Sequence, residues 1–176
     1  MKLLVISDIH GSIDALNQAL STPHAYDRIV FLGDFMNHGP RNPILKDYRP
    51  LEVSMRLNEL GECVAVRGNC DSEVDQAHIN FDISQTYTLI YDENRSFFIT
   101  HGHIHTPQDA PTLKCDVFVS GHTHIPTLDM INGTLAFNPG SIALPKENHP
   151  ASYGLIDTDG IKIYTLDHKV YMTHSF

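Results

Sequence analysis

The first part of the chain alternates short apolar runs with segments in which apolar residues recur every three or four positions. The apolar run at residues 2–7 predicts a strand. Ile13, Leu16 and Leu20 share one face of a helix, and Ser12 just before them is a favourable N-cap residue. The chain therefore begins with a predicted strand followed by a helix.

The same alternation continues to about residue 71. Strands are predicted over residues 28–32 and 63–66, and between them a helix begins near Pro50 and ends at Gly61. Val53, Leu57 and Leu60 lie on one face of that helix. Alternating strands and helices of this kind are typical of an α/β arrangement.

From about residue 85 the pattern changes to closely spaced strands. Apolar runs predict strands at 86–91, 96–100 and 116–120, and Asn-Gly at 132–133 and Asp-Gly at 159–160 are hairpin signals. The sequence contains no internal repeat and no linker, so we interpret residues 1–176 as one domain. The predicted fold class is mixed α/β (α+β), with two sheets forming a β-sandwich flanked by helices.

Composition narrows the classes of function. Twelve basic against 21 acidic residues give a net charge of −9, which repels polyanions such as DNA and RNA, so no nucleic-acid polymer is expected as a partner. Three cysteines without CxxC spacing suggest a reduced, cytoplasmic protein. No stretch approaches the ~18 apolar residues of a membrane span, and the first apolar run is too short for a signal peptide.

Polar residues that can bind metals follow five of the predicted strands. In α/β sheets the crevice beyond the carboxyl ends of the strands is where ligands bind, so we expect these residues to converge. Residues i and i+2 on extended backbone point to the same side, which would pair Asp8 with His10 and His122 with His124. The set comprises Asp8, His10, Asp34, Asn69, His101, His122 and His124.

Four imidazoles, two carboxylates and one amide oxygen form a mixed nitrogen and oxygen ligand set. Such a set suits Mn, Fe, Co, Ni or Zn better than Ca or Mg, and ligand type alone does not select among them. Two divalent ions held by only two carboxylates would leave an excess of positive charge. The sequence therefore predicts a dinuclear site that attracts phosphate.

The order DxH, GD, GN, HG and GHxH resembles the calcineurin-like metallophosphoesterase family. The longer strings NHGPRN at 37–42 and RGNCDSEVDQ at 67–76 look like its bacterial YfcE-type phosphodiesterase branch. The resemblance covers nearly the whole chain. It implies the αββα metallophosphoesterase fold, two metal ions, which would be manganese in the cell, and a homo-oligomer.

The resemblance also implies how the ligands are shared. One metal would take Asp8, His10, Asp34 and His124, and the other would take Asp34, Asn69, His101 and His122, with Asp34 as the bridge. A hydroxide bridging the two metals would be the nucleophile for in-line attack on phosphorus.

The sequence departs from the family pattern after Asn69, where Cys70 stands in place of a histidine that protonates the leaving oxygen in many members. A thiol is a poor substitute, so aryl phosphodiesters should be cleaved far better than alkyl ones. His103 or His38 could partly replace the missing acid. Further candidates for substrate contact are Asn37, His38, Arg41 and Arg67. Arg67 could equally pair with Asp71 or Glu73.

The predicted function is hydrolysis of a small phosphodiester by a metal-dependent enzyme, with no membrane partner. A diester carries one negative charge, which matches the charge left on two metals after hydroxide binds. The alternatives are a phosphomonoesterase or phosphoprotein phosphatase, a non-catalytic interaction scaffold on the same fold, and a metal sensor. The complete ligand set disfavours the scaffold.

Overall fold

The computed structural model describes residues 1–61, 63–92, 94–108 and 115–176. Its first elements are β1 (Leu3–Ile6), α1 (Ile13–Leu20), β2 (Arg28–Phe31), α2 (Pro50–Asn58), β3 (Cys63–Ala65) and α3 (Glu73–His78). Eight strands follow: β4 (Tyr87–Asp92), β5 (Arg95–Thr100), β6 (Val117–Val119), β7 (Thr127–Ile131), β8 (Thr134–Asn138), β9 (Ser152–Ile156), β10 (Gly160–Thr165) and β11 (Val170–Ser175).

The strands form two mixed sheets, as expected. The larger sheet has the order β11-β10-β9-β1-β2-β3, in which β1, β2 and β3 run parallel and β9 to β11 form an antiparallel meander beside β1. The smaller sheet has the order β4-β5-β6-β8-β7, with β5, β6 and β8 parallel. Both predicted hairpin turns are confirmed, at β7–β8 and β9–β10.

Two hydrophobic layers hold the sheets and helices together. Between the sheets, β1 and β2 contribute Val5 and Val30, and the smaller sheet contributes Phe97, Val119 and Phe137. The second layer lies on the outer face of the larger sheet, where the apolar faces of α1 and α2 pack against the alternate residues of β1 and β2. The parallel strands β1 and β2 are therefore buried on both faces, which explains their continuous apolar runs.

Helices α1 and α2 cover the larger sheet, and α3 contacts α2. On the outer face of the smaller sheet, Tyr87, Phe98 and Phe118 stack in a row, and His105 contacts the first two edge-on. Within the described residues, no helix is long and apolar enough to cross a membrane.

Helix α3 was not expected from the sequence. It has only six residues, and Asp75 is the only one of them that is buried, so it lacks an apolar stripe. Its signal is a capping box, in which Ser72 accepts from the Asp75 backbone and Asp75 accepts from the Ser72 backbone. The edge strand β11 was also missed, because exposed and half-buried residues alternate along it without a strong apolar run.

Gly154 in β9 of the larger sheet lies against the ring of Phe137 in β8 of the smaller sheet. A side chain at this position would collide with the ring of Phe137 from β8, which is buried in the layer between the sheets. The absence of a Cβ therefore lets a large aromatic side chain fill the middle of the core.

We predict that Gly154→Ala destabilises the protein by about 1 to 3 kcal/mol, the usual cost of overpacking a core. For a chain of this size the melting temperature should fall by about 2 to 4 °C for each kcal/mol. Adding Phe137→Leu should recover part of the loss, measured as a double-mutant cycle by thermal unfolding. Strictly additive effects of the two changes would contradict the proposed contact.

Candidate metal centre

The seven predicted metal ligands lie just beyond the carboxyl ends of their strands and gather at one edge of the sandwich. Asp8 and His10 follow β1, Asp34 follows β2, and Asn69 follows β3. The other three, His101, His122 and His124, follow β5 and β6. The convergence expected from the sequence is therefore present, with both sheets contributing.

The local backbone differs from the extended conformation that was expected. Asp8, His10, His122 and His124 have φ values of 55°, 47°, 65° and 62°, and Asp34 has a φ of 57°. These are left-handed conformations, which non-glycine residues rarely adopt and which cost of order 1 kcal/mol or more each. The i, i+2 argument was wrong about the geometry, although it selected residues that do come together.

The first half of the site contains Asp8, His10 and His124. Asp8 Oδ1 lies 3.2 Å from His124 Nε2 and 3.7 Å from His10 Nε2, and the two Nε2 atoms are 3.3 Å apart. All three residues are buried. Together they form one of the side-chain groups whose ligand atoms are close enough to share a metal ion.

The second half is arranged around Asp34. Its Oδ2 lies 3.5 Å from His101 Nε2 and 3.7 Å from His10 Nε2, so one carboxylate oxygen faces both halves of the site. Asn69 Oδ1 is 3.0 Å from His101 Nε2, and the rings of His101 and His122 are 5.1 Å apart. Asp8, Asp34 and His101 form a second group that could hold an ion.

Main-chain carbonyls fix the tautomer of three of these histidines. His10, His101 and His124 each direct Nδ1 at a carbonyl oxygen, on Asn37, Leu32 and Leu144 at 2.8, 2.6 and 2.6 Å. A carbonyl can only accept, so Nδ1 carries the proton, and in the neutral ring Nε2 presents a lone pair. This is the hydrogen bond that metal-ligating histidines usually make with their second nitrogen.

With the three rings neutral, their Nε2 lone pairs and the carboxylate oxygens face one another without a donor between them. Asp8 Oδ1 is buried and has no hydrogen-bond partner. Such an atom is costly unless a cation balances it. Without a metal, a proton on His101 Nε2 supplies the balancing charge: although burial opposes both shifts, the hydrogen bond between Asp34 and His101 lowers the pKa of Asp34 and, together with the Asp8 carboxylate, raises the pKa of His101 to about 9. The residues present thus fit two bound divalent cations.

Asp71 ties the two strand ends of the second half together. Its carboxylate accepts hydrogen bonds from the backbone N–H groups of Asp34, Phe35 and Gly68 at 2.9, 2.9 and 2.7 Å. Gly68 is needed there because a Cβ would overlap the Asp34 carboxylate. Burial and the neighbouring charge of Asp34 raise the pKa of Asp71 to about 6.

The segment Asn138-Pro139-Gly140-Ser141 forms hydrogen bonds with the turns that carry the residues of the first half. Asn138 Nδ2 donates to the Gly121 carbonyl at 2.7 Å, and Ser141 Oγ donates to the Asp8 carbonyl at 2.8 Å. Asp8 Oδ2 accepts from Ser7 Oγ and from the His122 backbone N–H at 2.6 and 3.0 Å. These bonds hold the left-handed turns in place.

A cavity of about 730 Å³ opens above the ligands. Of the predicted substrate contacts, Asn37 and Arg41 line it. Arg67 instead donates to the Asp71 carbonyl and contacts the Glu73 carboxylate at 3.2 Å, beside a separate cavity, which is the alternative pairing considered from the sequence. Lys146 lines the main cavity and was missed, because its loop has no recognisable motif.

His38 and His103 lie near the site without lining this cavity. The ring of His38 packs edge-on against Tyr48, and its buried Nδ1 has no partner. His103 is next to His101, with ring centres 5.2 Å apart. Burial and the neighbouring rings of His101 and His122 lower the pKa of His103 to about 4. At neutral pH it therefore carries no proton to donate from a cationic ring.

Cys70 lines the cavity at the position of the missing family histidine. Burial and the Asp34 carboxylate raise the pKa of this thiol to about 12. Its backbone N–H donates to Asp34 Oδ1 at 2.8 Å, so the residue also orients the bridging carboxylate. A thiol that is so weakly acidic is a poor proton donor for a leaving oxygen.

Comparison with known proteins finds similarity to phosphoesterases along most of the chain. Residues 1–160 match the calcineurin-like phosphoesterase superfamily domain. The chain is 43% identical to phosphodiesterase YfcE of Escherichia coli over 171 residues, covering 95% of this chain and 93% of that protein. It is 30% identical to the probable metallophosphoesterase YsnB of Bacillus subtilis, covering 89% and 83%.

Solved structures agree with the sequence matches. The structure of E. coli YfcE, described as a phosphoesterase, superimposes with a TM-score of 0.95 at 41% identity and covers 99% of both chains. Vacuolar protein sorting 29 from Cryptosporidium parvum superimposes with a TM-score of 0.68 at 21% identity, covering 99% of this chain and 97% of that one. This second match shows the shared fold alone.

Removing the Asp71 carboxylate should weaken metal binding without removing a ligand. Asp71→Ala leaves three backbone N–H groups unpaired and frees the turns that carry Asp34 and Asn69. We expect Mn²⁺ to bind about 10 to 100 times more weakly, as for other supporting residues around metal sites. A competition titration with a chromophoric chelator on metal-stripped protein measures this.

The matched control is Asp129→Ala, because Asp129 is exposed on β7, away from the site. An Asp71→Ala protein that binds manganese as tightly as the control would contradict the anchoring role of Asp71.

Proposed function

The chain belongs to the calcineurin-like phosphoesterase superfamily, and on that premise we propose that it is a metal-dependent phosphodiesterase acting on a small phosphodiester. It is a hydrolase of phosphoric ester bonds. The observation that carries the proposal is the set of buried Nε2 lone pairs and carboxylate oxygens that converge without a donor between them. Either protons or metal cations satisfy such an arrangement, and the cavity above it is open to a substrate.

Two bound divalent ions would supply activation of a water as nucleophile and neutralisation of the charge that develops on phosphorus. We propose that one is held by Asp8, His10, Asp34 and His124. The other would be held by Asp34, Asn69, His101 and His122. Asp34 Oδ2 supports the bridging role because it faces histidines of both halves.

The protein's own residues provide the orientation. The carbonyls of Leu32, Asn37 and Leu144 fix the imidazole rings, and the Asp71 carboxylate holds the Asp34 turn. The reaction therefore needs little rearrangement of the site, which is the condition for effective electrostatic stabilisation of a transition state.

Manganese is our proposal for the metal in the cell, since the set includes hard oxygen ligands. Zinc, nickel, iron and cobalt suit the same ligands, and zinc or nickel would bind more tightly in a purified sample. We also propose a cytoplasmic location, supported by the three free cysteines. The expected homo-oligomer stays a prediction.

The charge of the site favours a diester over a monoester. Two divalent ions and two carboxylates leave two positive charges, of which a hydroxide would neutralise one. A singly charged diester then balances the rest. Phosphomonoesterase activity is the alternative, and the relative named phosphodiesterase YfcE supports the diester.

Replacing the bridging carboxylate should abolish turnover. We expect Asp34→Asn to lower kcat/KM for bis(p-nitrophenyl) phosphate by more than about 100-fold, since even supporting residues of metal sites account for 10- to 100-fold. Metal-stripped wild-type protein should regain activity on addition of Mn²⁺, and p-nitrophenyl phosphate should be the poorer substrate. Asp129→Asn on β7 is the matched control.

Full activity of Asp34→Asn at saturating metal would contradict the assigned bridge. Higher efficiency with the monoester would replace the phosphodiesterase proposal by the phosphatase alternative.

The weak acidity of Cys70 makes the rate depend on the leaving group. With no proton donor, a leaving alkoxide must depart as an anion, so kcat should fall steeply as the pKa of the leaving alcohol rises. A series of aryl methyl phosphodiesters and one dialkyl ester measures this slope. A flat dependence across the series would show that some residue does protonate the leaving oxygen.

A further inference from the structure

Most arginines of the described chain are occupied by neighbouring groups. Arg49 pairs with Asp14, Arg56 with Glu59, and Arg67 with Glu73. Arg95 covers the ring of Phe176, and Lys169 pairs with Asp167. Arg41 and Lys146 differ, because neither forms an ion pair with a described residue and both line the main cavity.

Arg41 is presented by a short turn in the wall of the cavity. The Asn42 backbone N–H donates to the Gly39 carbonyl at 3.2 Å, and Asn42 Nδ2 donates to the His38 carbonyl at 2.9 Å. Asn37 Oδ1 accepts from the Gly39 backbone at 2.8 Å. Arg41 is exposed on this braced turn, so its side chain is free to contact a ligand.

Lys146 is presented by a second tight turn from a distant part of the chain. Its backbone N–H lies 3.4 Å from the His124 carbonyl, and its carbonyl accepts from His149 at 3.0 Å. Glu147 and Asn148, between them, are both left-handed, with φ values of 53° and 63°. The backbone of Lys146 is thus fixed beside the metal-ligand cluster, and its exposed side chain borders the cavity.

The charges of the cavity do not balance with a simple diester. Among the described residues, Asp34 is the only carboxylate that lines it, and Asp34 is already assigned to the metals. Two metals, two carboxylates, a hydroxide and one diester sum to about zero. Arg41 and Lys146 then add two positive charges in a protein whose net charge is −9. Unpaired cations concentrated in one cavity of an acidic protein attract a further anion.

We propose that the natural substrate is a phosphodiester that carries a second phosphate-like anion on one of its substituents, and that Arg41 and Lys146 bind this second anion. The inference rests on the proposed phosphodiesterase function and adds the class of diester. Arginine and lysine are the usual phosphate-binding side chains, arginine through two parallel hydrogen bonds and lysine as a point charge.

The test compares two aryl diesters that differ only in the second anion. One is thymidine 5′-(p-nitrophenyl phosphate), and the other is the same compound with a 3′-phosphate. We expect wild-type protein with Mn²⁺ to prefer the second in kcat/KM by about tenfold, the size expected of a few partly exposed charged contacts. Raising the ionic strength should reduce the preference because the contacts are screened.

The variants Arg41→Ala and Lys146→Ala should each lower this ratio about threefold, and the double variant should bring it close to one. Lys46→Ala is the control for net charge, because Lys46 is exposed on the same 37–49 segment but does not line the cavity. It should keep the wild-type ratio. Circular dichroism and melting temperature establish that each variant is folded.

Calorimetric binding of thymidine 3′,5′-bisphosphate and thymidine 5′-phosphate gives a readout independent of turnover. The bisphosphate should bind wild-type protein more tightly, and the double variant should lose that advantage. Equal wild-type kcat/KM for the two diesters would overturn the proposal. Variants that lower kcat/KM for both diesters by the same factor would also overturn it, and would indicate that the Arg41 and Lys146 side chains bind the scissile phosphate. If neither diester is hydrolysed, the phosphodiesterase proposal fails, and the binding experiment alone decides whether the second-anion site exists.

Discussion

The mutual repulsion of buried acceptors at the ends of five strands is the constraint on which the site depends. Carbonyls hold the protons of His10, His101 and His124 on Nδ1, so their Nε2 lone pairs face the carboxylates of Asp8 and Asp34. Its stability requires protons or metal ions, and bound metal is therefore expected to contribute to folding as well as to catalysis.

The rest of the sandwich serves to hold this unfavourable geometry. Five of the predicted ligands have left-handed backbones, and such strain persists only where surrounding contacts over-determine it. Asp71 supplies three of those contacts from one carboxylate, and Asn138 and Ser141 supply others from segment 138–141. The two sheets bring these distant segments together because their parallel strands end at one edge.

Much of the architecture was predictable because it depends on local patterns. The apolar runs of β1 and β2, the Ser12 cap and the two hairpin turns each occupy a few consecutive residues. The convergence of the seven candidate ligands was predictable for a related reason, since each follows a strand that could be recognised by itself. What was not predictable depends on pairs that are far apart in the chain.

Asp71 illustrates this limit. It was considered only as a partner for the Arg67 side chain, whereas its carboxylate binds the backbone of residues 34 and 35, and Arg67 contacts its carbonyl. Lys146 borders the site only because its turn packs on His124. The left-handed turns were also unexpected, because motif spacing does not report backbone conformation. These features depend on tertiary contacts. Such contacts determine how the candidate ligands are held, whereas the sequence motifs indicate which residues the candidates are.

Anomalous X-ray scattering at the manganese edge, from crystals of the metal-loaded protein, tests the central claim most directly. The account predicts two peaks about 3.5 to 4 Å apart, as in other dinuclear sites, with the Asp34 carboxylate between them and Nε2 of His10, His101 and His124 directed at them. A single peak, or peaks away from these nitrogens, would contradict it.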